Sequence, residues 1–244
     1  MKAWILGVGM GPQHLTAEVA EALRSVDYVL AAEKSDDDAL LALRHALVAA
    51  HAPAVPIIAI PDPPRDRSRE LTSAGYRSAV SDWHAQRAAR YAEVLSARGG
   101  TAAFLVWGDP SLYDSTIRIV ETIAARMDLD YQVLPGISAP QLLAARHRIV
   151  LNQVGAAVHL TTGRGLAQAV AAGQDNIVAM LNADGLDLSV VADWQIWWGA
   201  NLGAPSERLI CGRVSDVAER IADARQAART QAGWVMDVLL VRRS

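Results

Sequence analysis

Ile5-Leu6-Gly7-Val8-Gly9-Met10-Gly11-Pro12 closes the first apolar run of the chain, and Val106-Trp107-Gly108-Asp109-Pro110-Ser111-Leu112-Tyr113 closes a later one. Each follows a β-branched, strand-like stretch and leads into one with helical periodicity. Open α/β sheets bind small molecules at the carboxyl ends of their strands, so both turns are candidate ligand loops. The first turn is not a dinucleotide fingerprint. G-x-G-x-x-G requires a third glycine where Pro12 stands, and the phosphate loop requires G-K-S/T, which the chain lacks. A phosphate-bearing cofactor is therefore disfavoured, and the three glycines by themselves are equally well read as a tight strand-to-helix turn.

Working outward, residues 3–8, 28–32, 55–60, 101–106 and 131–134 read as strands with helices between them. Alternation of this kind predicts a mostly parallel five-stranded sheet covered on both faces. Thr16 is placed to cap the first helix, with Glu18 in its first turn, and Asp37 or Asp38 to open the second. The charged, proline-rich run Pro61-Asp62-Pro63-Pro64-Arg65-Asp66-Arg67-Ser68-Arg69 is long for a connection and reads either as a functional loop or as a solvated linker. A long helix over about residues 76–98 follows, carrying Trp83, His84, Arg87 and Arg90.

The pattern changes at Asn152-Gln153-Val154-Gly155, which predicts an N-terminal domain of residues 1–152 and a C-terminal domain of residues 153–244. Strands at 158–161, 176–180, 193–198, 208–211 and 235–241, with helices at 166–172 and 214–232, are spaced for a mixed sheet. Trp194, Ile196 and Trp198 alternate, giving that strand one aromatic face for core packing or a subunit contact.

The 244 residues carry a net charge of −3, which leaves no basic field for nucleic acid. Two of the 23 basic residues are lysine, and the rest are arginine. Arginine's rigid fork suits a polycarboxylate substrate, although a compositional bias of the genome gives the same skew. Cys211 is the one cysteine, which excludes an internal disulfide and a cysteine-built metal site. The six histidines show no H-x-H or H-E-x-x-H pairing, so no metal is expected. The opening strand lacks a leader-like segment, and charges break the apolar runs, so a cytoplasmic protein with no membrane contact is expected.

Taken in order, the glycine turn closing with Leu15-Thr16, then Gly108-Asp109-Pro110 with Tyr113, then Pro135-Gly136-Ile137-Ser138 resemble the signature of the tetrapyrrole methylase family. The resemblance spans almost the whole chain. It implies a two-domain α/β fold with the active site in the inter-domain cleft, a homodimer, and S-adenosylmethionine as cofactor, which accounts for a glycine turn without phosphate. Further segments resemble the branch of that family that methylates and deacetylates a precorrin: Ile60-Pro61-Asp62-Pro63-Pro64-Arg65-Asp66-Arg67, Trp83-His84, Phe104-Leu105-Val106-Trp107-Gly108-Asp109-Pro110-Ser111-Leu112-Tyr113-Asp114-Ser115-Thr116, Ala144-Ala145-Arg146-His147-Arg148 and Trp197-Trp198-Gly199-Ala200-Asn201-Leu202-Gly203. That likeness implies methyl transfer to C-1 of precorrin-5 with loss of acetate, leaving S-adenosylhomocysteine.

Carried over by position, the resemblance puts Trp107, Gly108, Asp109 and Leu112, then Ser138 and Ala139, then Met180, Gly203 and Ala204 in the cofactor pocket. Asp109 either holds the cofactor amino end or caps the following helix. Gly9 and Met10 border the substrate, and Arg65, Arg67, Arg118 and Arg146 are candidates for gripping its carboxylates, or else surface ion-pair partners. Deacetylation needs a general base and an oxyanion donor, for which Asp62, Asp66, Tyr113, Asp114, His84 and His147 are the candidates. Two departures stand out: Met10 replaces the proline of the family's G-x-G-P-G turn with one residue fewer before Leu15, and Ala139-Pro140 removes a hydroxyl after Ser138. The rival readings are a family member acting at another ring position, a nucleotide-dependent oxidoreductase using Glu33, and a non-catalytic binding module.

Overall fold

The computed structural model describes residues 1–34, 39–64, 73–182 and 186–243. Asp37, Asp38, Arg65, Asp66 and Arg67 lie outside the described residues. The chain divides into two compact units, Met1–Ile137 and Ser138–Ser244.

The first unit runs β1 (Lys2–Gly7), α1 (Ala17–Arg24), β2 (Tyr28–Glu33), α2 (Ala39–His51), β3 (Ile57–Pro61), α3 (Ser73–Arg98), β4 (Thr101–Val106), α4 (Thr116–Ala124) and β5 (Asp130–Leu134). The sheet order is β3-β2-β4-β1-β5 with every pair parallel. Period-two alternation in the central strands supplies both of its faces. Ala3, Ile5, Phe104 and Val106 pack on one side with Tyr91 and Leu95 of α3 and Ile119 and Ile123 of α4. Leu6, Ala103 and Leu105 pack on the other with Val19 and Leu23 of α1 and Leu47 of α2. Thr16 caps α1 as its position predicts, its hydroxyl accepting from the Val19 amide at 3.2 Å.

The second unit runs α5 (Ala139–His147), β6 (His159–Thr162), α6 (Leu166–Ala171), β7 (Asn176–Met180), β8 (Gln195–Ala200), β9 (Arg208–Arg213), α7 (Val214–Ala232) and β10 (Asp237–Arg242). Its order is β6-β7-β10-β8-β9, in which β6 and β7 are parallel and the other pairs antiparallel, a mixed sheet. Trp194, Ile196 and Trp198 are core residues beside Val217 and Ile221 of α7, so the aromatic face is spent on packing. β8 begins two residues later than its composition predicts because the Trp194 amide donates to the Val191 carbonyl at 2.9 Å, holding 191–194 in a turn. The contacts divide the chain ahead of the expected break at 152/153, because α5 packs against β8, β9 and β10. Among the described residues no helix is long and apolar enough to cross a membrane.

Candidate active site

The order β4-β1-β5 makes the loops leaving these three strands neighbours at the carboxyl edge of the first sheet. They are fastened together without an intervening side chain wherever their backbones meet. Gly9 and Gly108 exchange a pair of hydrogen bonds, Gly9 N to Gly108 O at 3.2 Å and Gly108 N to Gly9 O at 2.8 Å. A Cβ on Gly136 would lie 2.2 Å from the Gly108 carbonyl oxygen and 2.7 Å from that of Gly7. A Cβ on Gly7 would reach the Gly136 nitrogen at 2.4 Å. Glycine at these two positions is thus required by three backbones converging on one point.

Asp109 fixes the arrangement. One carboxylate oxygen accepts from the Ser111 amide at 2.9 Å and from the Ser111 hydroxyl, forming an Asx turn. The other accepts from the Gly136 amide at 3.0 Å. Burial raises the Asp109 pKa, but the hydrogen bonds from the Ser111 hydroxyl and the two amides outweigh it and hold the carboxyl below its ordinary value. The residue is neither a free anion nor a cap of the following helix; it ties the loop after β4 to the loop after β5.

Against this interlock, Trp107 packs with the core on the α1 side, and among the described residues its buried indole Nε1 has no hydrogen-bond partner. Leu112 closes the turn, its amide donating to the Asp109 carbonyl at 3.2 Å. Tyr113, 42% exposed, sits at φ 53°, a left-handed conformation costly for a bulky side chain. Burial raises the Tyr113 pKa, so the phenol is a proton donor at neutral pH. Asp114 accepts from the Thr116 amide at 2.7 Å through one carboxylate oxygen, at the start of α4. Arg118, exposed one turn on, reaches back to the Asp114 carbonyl at 3.3 Å. Met10 is buried.

At the β3 end of the same sheet, α3 holds the departing strand residue by residue. Arg90 bonds the Pro61 carbonyl. Arg87 grips Asp62 with two parallel bonds, 2.9 and 2.6 Å. The Trp83 indole donates to the Pro63 carbonyl at 3.1 Å, while the Arg87 guanidinium lies 4.0 Å from the Trp83 ring centroid. The Asp62 carboxylate is therefore the anchor of a partly buried ion pair. His84 packs beside Trp83, ring centroids 5.2 Å apart.

In the second unit, Ser138 is buried and gives both its amide and its hydroxyl to the Gln141 side-chain oxygen, each at 2.8 Å, opening α5 with Ala139 as its first residue. Met180 ends β7, and Leu181 after it is 61% exposed with φ 52°. Asn201, directly after β8, has φ 47° and is locked by bonds to Ser206 (3.0 Å) and from the Met236 amide (2.9 Å). The Gly203 amide donates to Glu207 at 2.7 Å, and the Ala204 amide to the Asn201 carbonyl at 3.0 Å. Arg146 pairs with the same Glu207 at 2.9 Å, the ion-pair alternative. His147 donates through Nε2 to the Trp198 carbonyl at 3.0 Å.

Among the described residues four non-glycines have positive φ: Tyr113, Leu181 and Asn201 sit in or beside loops that carry expected cofactor residues, and Arg148 ends α5. Backbone strain concentrates where function over-determines it. Sequence reasoning had not singled out Leu181, Asn201 as a strained position, or the orphaned indole nitrogen of Trp107. Asparagine's tolerance of the left-handed region was the one available signal, at Asn201.

The model of the Tetrapyrrole (Corrin/Porphyrin) Methylases matches residues 2–218. The chain belongs to the tetrapyrrole methylase family. A curated relative from Sinorhizobium sp, precorrin-6A synthase [deacetylating], is 39% identical over 99% of this methylase and 95% of its own length. A solved structure from Corynebacterium diphtheriae, a cobalamin synthesis related protein (CobF), is 38% identical, with a TM-score of 0.83 over 99% of this chain and 98% of that one. The uroporphyrin-III C-methyl transferase of Thermus thermophilus, solved with S-adenyl homocysteine, shares the fold at 17% identity and a TM-score of 0.59, covering 98% of the methylase and 92% of its own chain. Membership in this family removes the nucleotide-dependent oxidoreductase as a rival.

Proposed function

We propose that this methylase transfers a methyl group from S-adenosylmethionine to C-1 of precorrin-5 and releases the substrate's acetyl group as acetate, giving precorrin-6A and S-adenosylhomocysteine, as a cytoplasmic homodimer. The observation that carries the cofactor part is the buried, partnerless Trp107 indole N–H beside three interlocked loops. A buried donor without a partner calls for a ligand acceptor. The amides of Gly9, Gly108 and Gly136 already have acceptors, which leaves no ready cradle for phosphate and suits a cofactor without one. The likeness to the deacetylating precorrin-6A synthase over 99% of the chain supports the choice of substrate.

In this reading Trp107, Gly108, Leu112, Ser138, Ala139, Met180, Gly203 and Ala204 bind the cofactor, and Asp109 positions the loops after β4 and β5. S-adenosylmethionine supplies a methyl group already activated on a sulfonium. The protein's own task is to align ring carbon and methyl and to keep water out, an orientation effect of about 7–11 kcal/mol. Of the two described candidates, Arg118 is exposed and is the one assigned to a peripheral carboxylate, since Arg146 already serves Glu207.

For deacetylation the neighbouring pair Tyr113 and Asp114 fits the two roles best. The Asp114 carboxylate takes a proton from the water that attacks the acetyl carbonyl, and the Tyr113 phenol donates to the oxygen that becomes anionic; when that intermediate collapses, the bond from the acetyl carbon to the macrocycle breaks, its electron pair stays in the conjugated ring and offsets the methyl cation gained, and acetic acid leaves. Asp62 and His147 are committed to Arg87 and to the Trp198 carbonyl. Calorimetric titration tests the cofactor class. Saturable binding of S-adenosylhomocysteine that weakens in Trp107→Phe, with no binding of NAD, supports the reading; NAD binding, or indifference to the Trp107 change, contradicts it.

A further inference from the structure

The second unit contains a cavity of about 460 Å³ that includes none of the expected cofactor residues among those that line it. Its walls are the 186–192 segment, one side of α7, and the sheet face carrying Trp198 and Leu239. Leu188, Val214, Ile221 and Leu239 make it mostly apolar, and its size falls within the range of small-molecule sites.

One group in that wall is chemically unfinished. The Asp237 carboxylate, 3% exposed, uses Oδ2 to accept from the Trp198 indole at 3.0 Å and from Arg225 Nε at 3.2 Å. Among the described residues its Oδ1 has no hydrogen-bond partner, the nearby Asn182 side-chain amide donating to the Ala179 and Asp237 backbone carbonyls at 3.5 and 3.3 Å. A carboxylate oxygen offers two lone-pair sites, and a buried acceptor left empty is exceptional in a folded protein. Arg225 already places a cation against this carboxylate at 3.2 Å, although burial still leaves its pKa raised. The surrounding side chains favour an uncharged body, and the one unmet need is a hydrogen-bond donor.

We propose that this cavity is a second ligand site, taking a neutral, mostly apolar small molecule of one or two rings that donates a hydroxyl or ring N–H to Asp237 Oδ1. The site is independent of the methyl-transfer reading and stands or falls separately from it.

Indole is the probe. Titration of the full chain with indole and with 1-methylindole, followed by NMR, compares two ligands of nearly the same shape, one of which lacks the donor. Indole should bind saturably and about tenfold more tightly than 1-methylindole. Ala222→Phe, at an exposed position of α7 lining the cavity, should abolish that binding without altering the melting temperature. Asp237→Asn should erase the preference between the two probes. Absence of saturable indole binding, equal affinity for both probes, or binding that survives Ala222→Phe would each overturn the proposal; should Asp237→Asn fail to fold, the Ala222 variant and the probe pair decide it.

Discussion

The Asp109 carboxylate and the Gly136 amide lie 3.0 Å apart, and through that bond the loop after β4 is fixed to the loop after β5 across the end of β1. Side chain and backbone come from positions far apart in sequence, so the bond forms only once the sheet has assembled. The same carboxylate shapes its own loop through Ser111. One residue thus sets both the conformation of a loop and its distance from the next.

Asp109→Ala should leave the fold intact and weaken S-adenosylhomocysteine binding on the order of tenfold to a hundredfold, the range expected when hydrogen bonds to a charged group are lost. Asp109→Asn, which keeps an acceptor for Ser111 or Gly136, should lose less. Calorimetric titration of the two variants checks the order. Equal and small losses would show that the loops hold themselves together through Gly9 and Gly108 alone.

Acid stability follows from the same group. The folded Asp109 carboxyl has a lowered pKa, so in the unfolded chain it binds a proton at higher pH than in the folded one. Its stabilising contribution is complete above the ordinary aspartate value of about 3.9 and is lost as pH falls through the folded value. Asp237 acts in the opposite sense: burial, opposed by Trp198, Arg225 and Asn182, leaves its carboxyl raised, so its stabilising contribution is present below the unfolded value and is lost as pH rises through the folded one. In thermal melts from pH 5 down to pH 2, wild type should lose more stability below about pH 4 than Asp109→Asn does. Parallel curves would contradict the assignment.

Arg87 and Asp62 should behave as a coupled pair. Removing either partner leaves a partly buried charge without compensation, and a double-mutant cycle of Arg87→Met and Asp62→Asn should show a coupling of about 1–3 kcal/mol. Denaturant unfolding measures it. Because the carboxylate serves the ion pair, Asp62→Asn should also retain acetate release wherever it folds, and loss of acetate with methylation kept would return Asp62 to the list of bases.

Tyr113→Phe and Asp114→Asn should separate the two chemical outcomes. Each should leave methyl transfer near its original rate and slow acetate release about 10²–10³-fold, the usual cost of an oxyanion donor or a general base. The asparagine preserves the capping acceptor for Thr116, so a fold defect is not expected. Quantifying acetate against methylated product in each variant gives the answer; equal loss of both would mark the pair as structural.

Much of this fold is written in local patterns. Alternation in β1 and β4 predicts their place and their two buried faces, Thr16 announces α1, and the close-set later strands predict a mixed sheet. The glycines of the first and third loops mark the site, although their reason is mutual: Gly7 and Gly136 are small because each approaches the other's backbone. What the sequence conceals is non-local. Nothing near Asp109 indicates that its partner is the amide of Gly136. The pairing of Arg87 with Asp62 depends on α3 crossing the end of β3, and that of His147 with the Trp198 carbonyl on α5 packing on the second sheet. The last contact also explains why α5 belongs with the second unit. The left-handed turn at Leu181 has no local signal at all, since leucine has no preference for it.

Incubation of the purified protein with methyl-labelled S-adenosylmethionine and precorrin-5, with product mass and acetate read together by mass spectrometry, tests the central claim most directly. The account predicts one labelled methyl gained and one acetate released per turnover, together with S-adenosylhomocysteine. Methyl gain without acetate would move the protein to another ring position within the family, and cofactor binding without any transfer would contradict the enzymatic reading altogether.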